Sequence, residues 1–552
     1  MSGKYKVVMF DYYGVLYSSL SLTISKMELD RGLPKNFILA LFMHGSPEKP
    51  SSRLINGQIT FTEFLPLFEK QLTEASIAQG VQLPERFSIN DFFTDCIDCL
   101  RPNQLVLDSI SNLQEAGYKV CFLGNIGLIE GPTGNKFTRM KINLRFTCDY
   151  YFESCQVGMA RPDPKFYQHA LKEMNVKADE VISVESTEQY CKLATSIGMT
   201  GIVAEDQPTV LKKLSELIGI NFSKLSRPAA CNPDSVTHCY FTTTSGVKIH
   251  FVEKGNGPAV ILSHGFPEFW YTWRHQIPFL ARLGYRVIAL DHRGYGESDQ
   301  PPNIDDYSMK LVNQDIIDLM DNLNIHQAVL IGHDWGSVVV WEAALRFPDR
   351  IKAVASLNLG YFPPHPEYDF TQLVQADPQQ FDYCLYFFDE GVAEVELEKD
   401  VDRTLRYIYS DTTPKNTTGI KLETFTVRKR GGLLAGLPDE LPKCSFMSDK
   451  EFSYCVKNYK KNGFHYPLNW YRNEAINWNN IKSIERYKIY QPALMVTAEY
   501  DPILLPELTN GMEEYVPNLT RANLLCGHWT QSECPAELNR VLSKWLPKVS
   551  AN

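Results

Sequence analysis

The sequence predicts two α/β domains in tandem, each built on a mainly parallel β-sheet with helices on its faces. Three observations carry this. Strand-length apolar runs alternate with amphipathic helical stretches in both halves. An aperiodic segment rich in Ser, Pro and Asn, NFSKLSRPAACNPDSVTHC, separates the halves. A chain of 552 residues also exceeds what one hydrophobic core organises.

In order, KVVMFD, KVCFLGN, EVISVES and TGIVAED read as strands of the first domain, whose rhythm ends near Ile220. The expected boundaries are 1–222 for this domain, 223–238 for the linker and 239–549 for the second domain. The second half opens with HCYFTTTSGVKIHFVEKGNGP, a hairpin signalled by Ser-Gly between two β-rich runs. AVILSHG, RVIALD, AVLIGHD, AVASLNL and ALMVTAE follow as buried strands. From about 362 to 490 the sequence turns helical and aromatic-rich, which predicts a helical lid inserted before the last two strands. A net charge of −10 argues against nucleic acid or an anionic membrane surface as the main partner. The longest apolar runs, such as VVMF and AVIL, are strand-sized, so no membrane span is expected. MSGKYKVVMFDYYG has no basic-then-apolar signal pattern, and PKVSAN is not a peroxisomal address. Thirteen cysteines, an odd count without paired or metal-type spacing, point to reduced thiols and a cytoplasmic protein. Cys96 and Cys99, in CIDC, fall in a helical pattern and not in the turn after a strand that a redox pair needs.

Residues 331–337, IGHDWGS, have the form of a nucleophile elbow with Asp334 where serine is usual. Gly332 and Gly336 allow the close backbone approach the turn demands. Asp501 follows a buried strand in ALMVTAEYDP, and His528 lies in LLCGHWTQ after the final strand. Nucleophile, acid and histidine thus occur in the chain order of α/β-hydrolases. The loop HGFPEFW at 264–270, with His264, Gly265, Phe266 and Pro267, stands where that architecture supplies an oxyanion-hole N–H.

HGFPEFWYTWRHQIPFLARLGYRVIALDHRGYGES, GHDWGS, NWYRN and CGHWTQ resemble the soluble epoxide hydrolase family, and the likeness runs through nearly the whole chain. It implies an N-terminal Rossmann-like domain of haloacid-dehalogenase type and a C-terminal α/β-hydrolase domain with its lid. It further implies hydrolysis of fatty-acid and foreign-compound epoxides to vicinal diols, hence a place in lipid metabolism or detoxification, and a homodimer. A carboxylate, with an ordinary pKa of about 3.9, attacks without a base; Asp334 would open the strained ring and form an ester. Two lid phenols would protonate the departing oxygen, and the family match puts them at Tyr383 and Tyr471. The residues alone leave Tyr386, Tyr407 and Tyr409 open as rivals. His528, oriented by Asp501, would activate a water to break the ester, with the oxyanion held by the backbone N–H groups of Phe266 and Trp335. Ring opening needs no cofactor. A haloalkane dehalogenase-like hydrolase and a non-catalytic lipid-binding or scaffold protein are the alternatives.

In the first half, FDYYGV, LGNIG, MARPDP and VISVES occupy the four motif positions of haloacid-dehalogenase-like phosphatases. Asp11 stands at the nucleophile position, but Tyr13 replaces the general acid/base. Gly124-Asn125 replaces the phosphate-binding Ser or Thr, Arg161 the usual Lys, and Glu185-Ser186 the paired acids for Mg²⁺. These losses remove proton transfer, phosphate binding and charge neutralisation together. The expectation is a degenerate phosphatase domain with little or no activity and doubtful Mg²⁺ binding.

Overall fold

The structure, a computed structural model, describes residues 4–43, 46–128, 131–222, 227–484 and 487–550. Residues 223–226, the first four of the expected linker, lie outside the described residues, as do the first three and last two residues of the chain. The chain divides into two compact units, residues 1–226 and 227–552.

The first unit is built on five parallel strands: β1 (Val7–Phe10), β2 (Lys119–Gly124), β3 (Tyr150–Glu153), β4 (Val181–Glu185) and β5 (Thr200–Val203), in spatial order β3-β2-β1-β4-β5. Helices cover both faces, so the central strands are buried end to end: VVMF and VISVE are apolar runs, not alternating ones. The carboxyl ends of β2, β1 and β4 lie side by side, which brings Gly124, Asp11 and Glu185 to one edge of the sheet. Between β1 and β2 the chain inserts a helical cluster packed around Phe64, Phe68, Phe92 and Phe93. Its longest helix, Phe61–Gln79, starts at a Thr60/Glu63 capping box and stops where Gly80 turns left-handed. Cys96 and Cys99 lie on the helix Ile89–Cys99, and burial pushes the Cys96 thiol up to about 12, the opposite of a reactive redox thiol.

The second unit holds an eight-stranded sheet. Its strands are β6 (Thr237–Thr242), β7 (Lys248–Lys254), β8 (Ala259–Ser263), β9 (Arg286–Leu290), β10 (Ala328–His333), β11 (Ile351–Leu357), β12 (Ala493–Ala498) and β13 (Leu519–Leu524). The order is β13-β12-β11-β10-β8-β9-β7-β6; β7 runs antiparallel to both its neighbours and the other pairings are parallel. The hairpin turn between β6 and β7 contains Gly246 at φ 80°. β6 begins at Thr237, within the segment read as linker, and the residues just before it are fixed to this unit: Cys231 N–H donates to the Arg274 carbonyl at 2.8 Å. Among the described residues between β11 and β12, every regular element is helical. No helix among the described residues is long and apolar enough to cross a membrane.

The central strand β10 is buried along its whole length. Each fully buried Val, Leu or Ile contributes about 1.5–3 kcal/mol, so the strand is a rigid base for the turn that follows it.

Candidate active site

Asp334 occupies the turn between β10 and the helix Trp335–Arg346, with φ 52° and ψ −122°. A left-handed backbone at a non-glycine residue costs of order 1–3 kcal/mol. The turn is tight because its glycines are in contact: a Cβ on Gly332 would stand 2.2 Å from the Gly336 carbonyl oxygen. The helix N-terminus behind Asp334 favours negative charge at this point.

The loop after β8 comes to the same place. Phe266 N–H donates to Asp334 Oδ1 at 2.9 Å, and Trp335 N–H is a second backbone donor to this carboxylate. The other oxygen, Oδ2, lies 3.8 Å from His528 Nε2. His528 Nδ1 meets Asp501 Oδ2 at 2.8 Å. Asp501 is in turn held by Asn358 Nδ2 at 2.7 Å and by the N–H groups of Ile503 and Leu504 at 2.9 and 3.0 Å. The structure therefore brings together Asp334, His528, Asp501, Phe266 and Trp335 from four separate strand ends.

The electrostatics refine the expectation of a freely ionised nucleophile. Burial raises the Asp334 carboxyl above its ordinary value, opposed by His528, His333 and the two backbone donors. Burial raises Asp501 as well, but His528 and the donors around it overcome that and carry it down to about 2. For His528, burial works against the charged ring, yet Asp501 first and Asp334 next push it up to about 9. Asp501 and Asp334 thus both favour the charged form of the His528 ring.

Above the nucleophile, Tyr383 lies on the helix Asp382–Phe388 and Tyr471 opens the short helix Tyr471–Asn473. Their ring centroids are 6.1 Å apart, and Tyr471 packs edge-on against Phe266, Trp335 and Phe387. Burial raises both phenols well above their ordinary value, with the Asp334 charge adding to it, so both keep their protons. The rivals are occupied elsewhere. Tyr386 donates to Glu396 at 2.8 Å, Tyr409 donates to the Pro267 carbonyl at 2.6 Å, and Tyr407 accepts from Glu423 N–H at 3.0 Å. Beside Tyr471, Phe370, Val374, Leu385 and Phe388 line an apolar pocket that also holds Glu474, pushed up to about 8 by burial and by the charges of Asp369 and Glu342.

Sequence reasoning missed a buried brace behind this site. Glu268 Oε2 accepts from Gly265 N–H at 2.9 Å and meets His333 Nδ1 at 2.8 Å, while His333 Nε2 donates to the His528 carbonyl at 2.8 Å. His333 and its partners hold Glu268 down to about 2 against the burial that would raise it. His264 positions the same loop: its Nε2 accepts from His292 N–H at 3.1 Å. Glu268 and His333 were visible as acidic and basic letters inside the two motifs, HGFPEF and GHDWG, which was the available signal.

In the first unit the motif residues also converge. Arg161 donates from Nη2 to Asp11 at 2.5 Å and from Nη1 to Glu185 at 2.7 Å, all three being buried. Asp11 also accepts from Tyr12 N–H and from Ser186 Oγ, and Glu185 from Tyr167 and Ser183. Burial opposes the guanidinium charge, but Asp11 and Glu185 hold Arg161 well above its ordinary value. Asn125 is spent on the Arg161 backbone, donating to its carbonyl at 2.8 Å and accepting from its N–H at 2.9 Å. Tyr13 is raised by burial and by the charges of Glu153 and Asp11, so it stays a neutral phenol. A Mg²⁺ ion needs oxygen ligands at about 2.0–2.1 Å. Here a buried cation already lies between the two carboxylates, and the residues do not fit the ion.

Residues 258–535 match the family described as alpha/beta hydrolase fold. Over 547 residues the chain is 39% identical to bifunctional epoxide hydrolase 2 of Rattus norvegicus, covering 98% of this chain and 97% of that one. The chain belongs to the bifunctional epoxide hydrolase family. The Mus musculus member is likewise 39% identical, over 544 residues, with the same coverage. Among solved structures, epoxide hydrolase A of Mycobacterium thermoresistibile shares 34% identity and a TM-score of 0.51, covering 56% of this chain and 98% of that one. The family's α/β-hydrolase fold in the second unit and the Rossmann-like, haloacid-dehalogenase-type fold in the first are those the sequence implies.

Proposed function

We propose that this member of the family converts epoxides to vicinal diols through an ester on Asp334. The observation that carries the mechanism is the inequivalence of the Asp334 oxygens: Oδ1 is held by Phe266 N–H, whereas Oδ2 is on the side of His528 Nε2, 3.8 Å away. Oδ2 attacks an epoxide carbon, the carbon–oxygen ring bond breaks, and its electron pair goes to the departing oxygen. Tyr383 or Tyr471 gives that oxygen a proton. Esterification removes the negative charge of Asp334, one of the influences that hold His528 protonated. The ring then gives up its proton, through water, to the phenolate left by the first step, and neutral His528 takes a proton from water attacking the Asp334 carbonyl carbon. The oxyanion forms on Oδ1, already placed on Phe266 N–H, with Trp335 N–H beside the carboxyl group; losing one such donor costs about 3 kcal/mol. Collapse breaks the ester bond; the departing oxygen, the one that attacked, takes a proton from His528, which takes back the proton of the new carboxyl group, so the diol leaves and the carboxylate and charged ring are restored.

The aromatic surround of Asp334, made by Phe266, Trp335, Phe387 and Tyr471, supports apolar epoxides as the substrate class, and the choice of fatty-acid and foreign-compound epoxides rests on the family resemblance. The Arg161 bridge supports a first unit with little or no phosphatase activity, although the relatives are named bifunctional. A homodimer and a cytoplasmic location belong to the same proposal, the first resting on the resemblance and the second on the cysteine usage; light scattering of the full chain tests the dimer.

The experiment is intact-mass analysis of His528→Gln after addition of an epoxide. An adduct on Asp334 is expected. No adduct, together with no diol from several epoxides with the wild type, overturns the reading, and halide release from haloalkanes would favour dehalogenase chemistry instead.

A further inference from the structure

At the far edge of the second unit's sheet, His238 on β6 faces His250 on β7. His238 Nδ1 and His250 Nε2 are 2.9 Å apart, and the rings meet head to head with centroids 5.1 Å apart and planes 22° from parallel. Each ring is fixed through its other nitrogen. His238 Nε2 lies 3.0 Å from the Pro233 carbonyl oxygen, and His250 Nδ1 lies 2.7 Å from Asp291 Oδ2. A carbonyl and a carboxylate only accept, so both outer nitrogens carry protons. The two inner nitrogens then direct lone pairs at one point between them, where a single shared proton satisfies both. Glu297 stands alongside: one of its carboxylate oxygens and one ring nitrogen of each histidine lie within 4.8 Å of one another. Tyr240 OH donates to Glu297 Oε2, and Glu297 N–H donates to Asp291 Oδ2 at 2.9 Å.

We propose that His238, His250 and Glu297 form a binding site for a divalent transition metal of the Zn²⁺ type, the ion taking the place of the shared proton. Two neutral imidazoles and one carboxylate are a usual three-ligand set for Zn²⁺, with a fourth position left to water. Metal-binding histidines typically donate their other N–H to a carboxylate or a backbone carbonyl, and both do so here before any ion arrives. With Zn–N distances of about 2.0–2.1 Å, the inner nitrogens need to part by only a few tenths of an ångström. His238 is exposed on an edge strand and held only by the Pro233 carbonyl, so that ring makes the adjustment, while His250 is buried against Asp291. Four strand spacings separate β6 from β10, about 19 Å, so the site is distinct from the Asp334 centre.

The test uses the untagged full-length chain, stripped with a chelator. It is titrated with Zn²⁺ against a chromogenic competitor and with Co²⁺ followed by visible absorption, beside His238→Gln and Glu297→Gln. The expected result is one Zn²⁺ equivalent per chain whose affinity falls at least tenfold in both variants, with matching loss of the Co²⁺ bands and unchanged metal-free epoxide turnover. Binding and spectra identical in wild type and both variants would overturn the proposal, because any metal bound would then sit on the thiols or elsewhere. Absence of binding to the wild type would overturn it equally.

Discussion

Replacing Asp501 by Asn separates the two halves of the catalytic cycle. Asp501 is the largest influence holding the buried His528 ring protonated, at about 9 against an ordinary 6.5. That difference, to which Asp334 and Glu268 also contribute against burial, corresponds to about 3 kcal/mol of net support for the imidazolium and sets the order of magnitude of the Asp501 share. The imidazolium is what forms as His528 takes a proton from the attacking water, so its loss raises the barrier of ester hydrolysis by a similar amount. About 3 kcal/mol is roughly a hundredfold in rate. Ring opening transfers no proton to His528 and changes far less. In rapid-quench experiments with intact-mass detection, Asp501→Asn should form the Asp334 ester nearly as fast as wild type and then retain it. Equal slowing of both steps, or a slow turnover with no ester accumulating, would refute this division of labour.

Three further outcomes follow from the same geometry. Tyr471→Phe and Tyr383→Phe should each slow ester formation about 10- to 100-fold, and the double variant should lose the 10²–10⁴ that general acid catalysis supplies; Tyr386→Phe, whose hydroxyl is spent on Glu396, should stay within about twofold. Because burial raises Asp334, the nucleophile is protonated, and ester formation lost, as pH falls through a value above its ordinary 3.8; the acid limb of the single-turnover rate reads this. Arg161→Ala leaves Asp11 and Glu185 buried without their cation, which should cost the first unit about 3–5 kcal/mol; calorimetry should show millimolar Mg²⁺ raising the Tm of this variant and not of the wild type.

The features legible in the sequence were those set by local geometry. Asp334 stood out because an elbow needs Gly332 and Gly336, and the buried parallel strands stood out because both faces are covered. β3 was missed because YYFE is four residues long, with only its last residue buried. Arg161 was read as a counter-charge in place of lysine; that it bridges two acids depends on Asp11, 150 positions earlier, and Glu185, 24 later. The choice among lid tyrosines could not be made from periodicity, since Tyr383 and Tyr386 are one turn apart and differ in whether Glu396 lies within reach. The Glu268–His333 brace was hidden for the same reason, its partners being 65 positions apart, whereas His238 and His250 are 12 apart in the predicted hairpin and only the exact strand register was missing.

The fixed seat of Oδ1 gives Asp334 a molecular memory. In water enriched with heavy oxygen, the first diol carries away an ordinary oxygen from the protein, and the side chain takes one solvent atom in its place. Every later cycle exchanges that same position, while the atom seated on Phe266 N–H is carried through unchanged. Peptide mass spectrometry after many cycles should therefore find one heavy atom on Asp334 and not two, and the slow appearance of a second would time how often the carboxylate turns over in its seat.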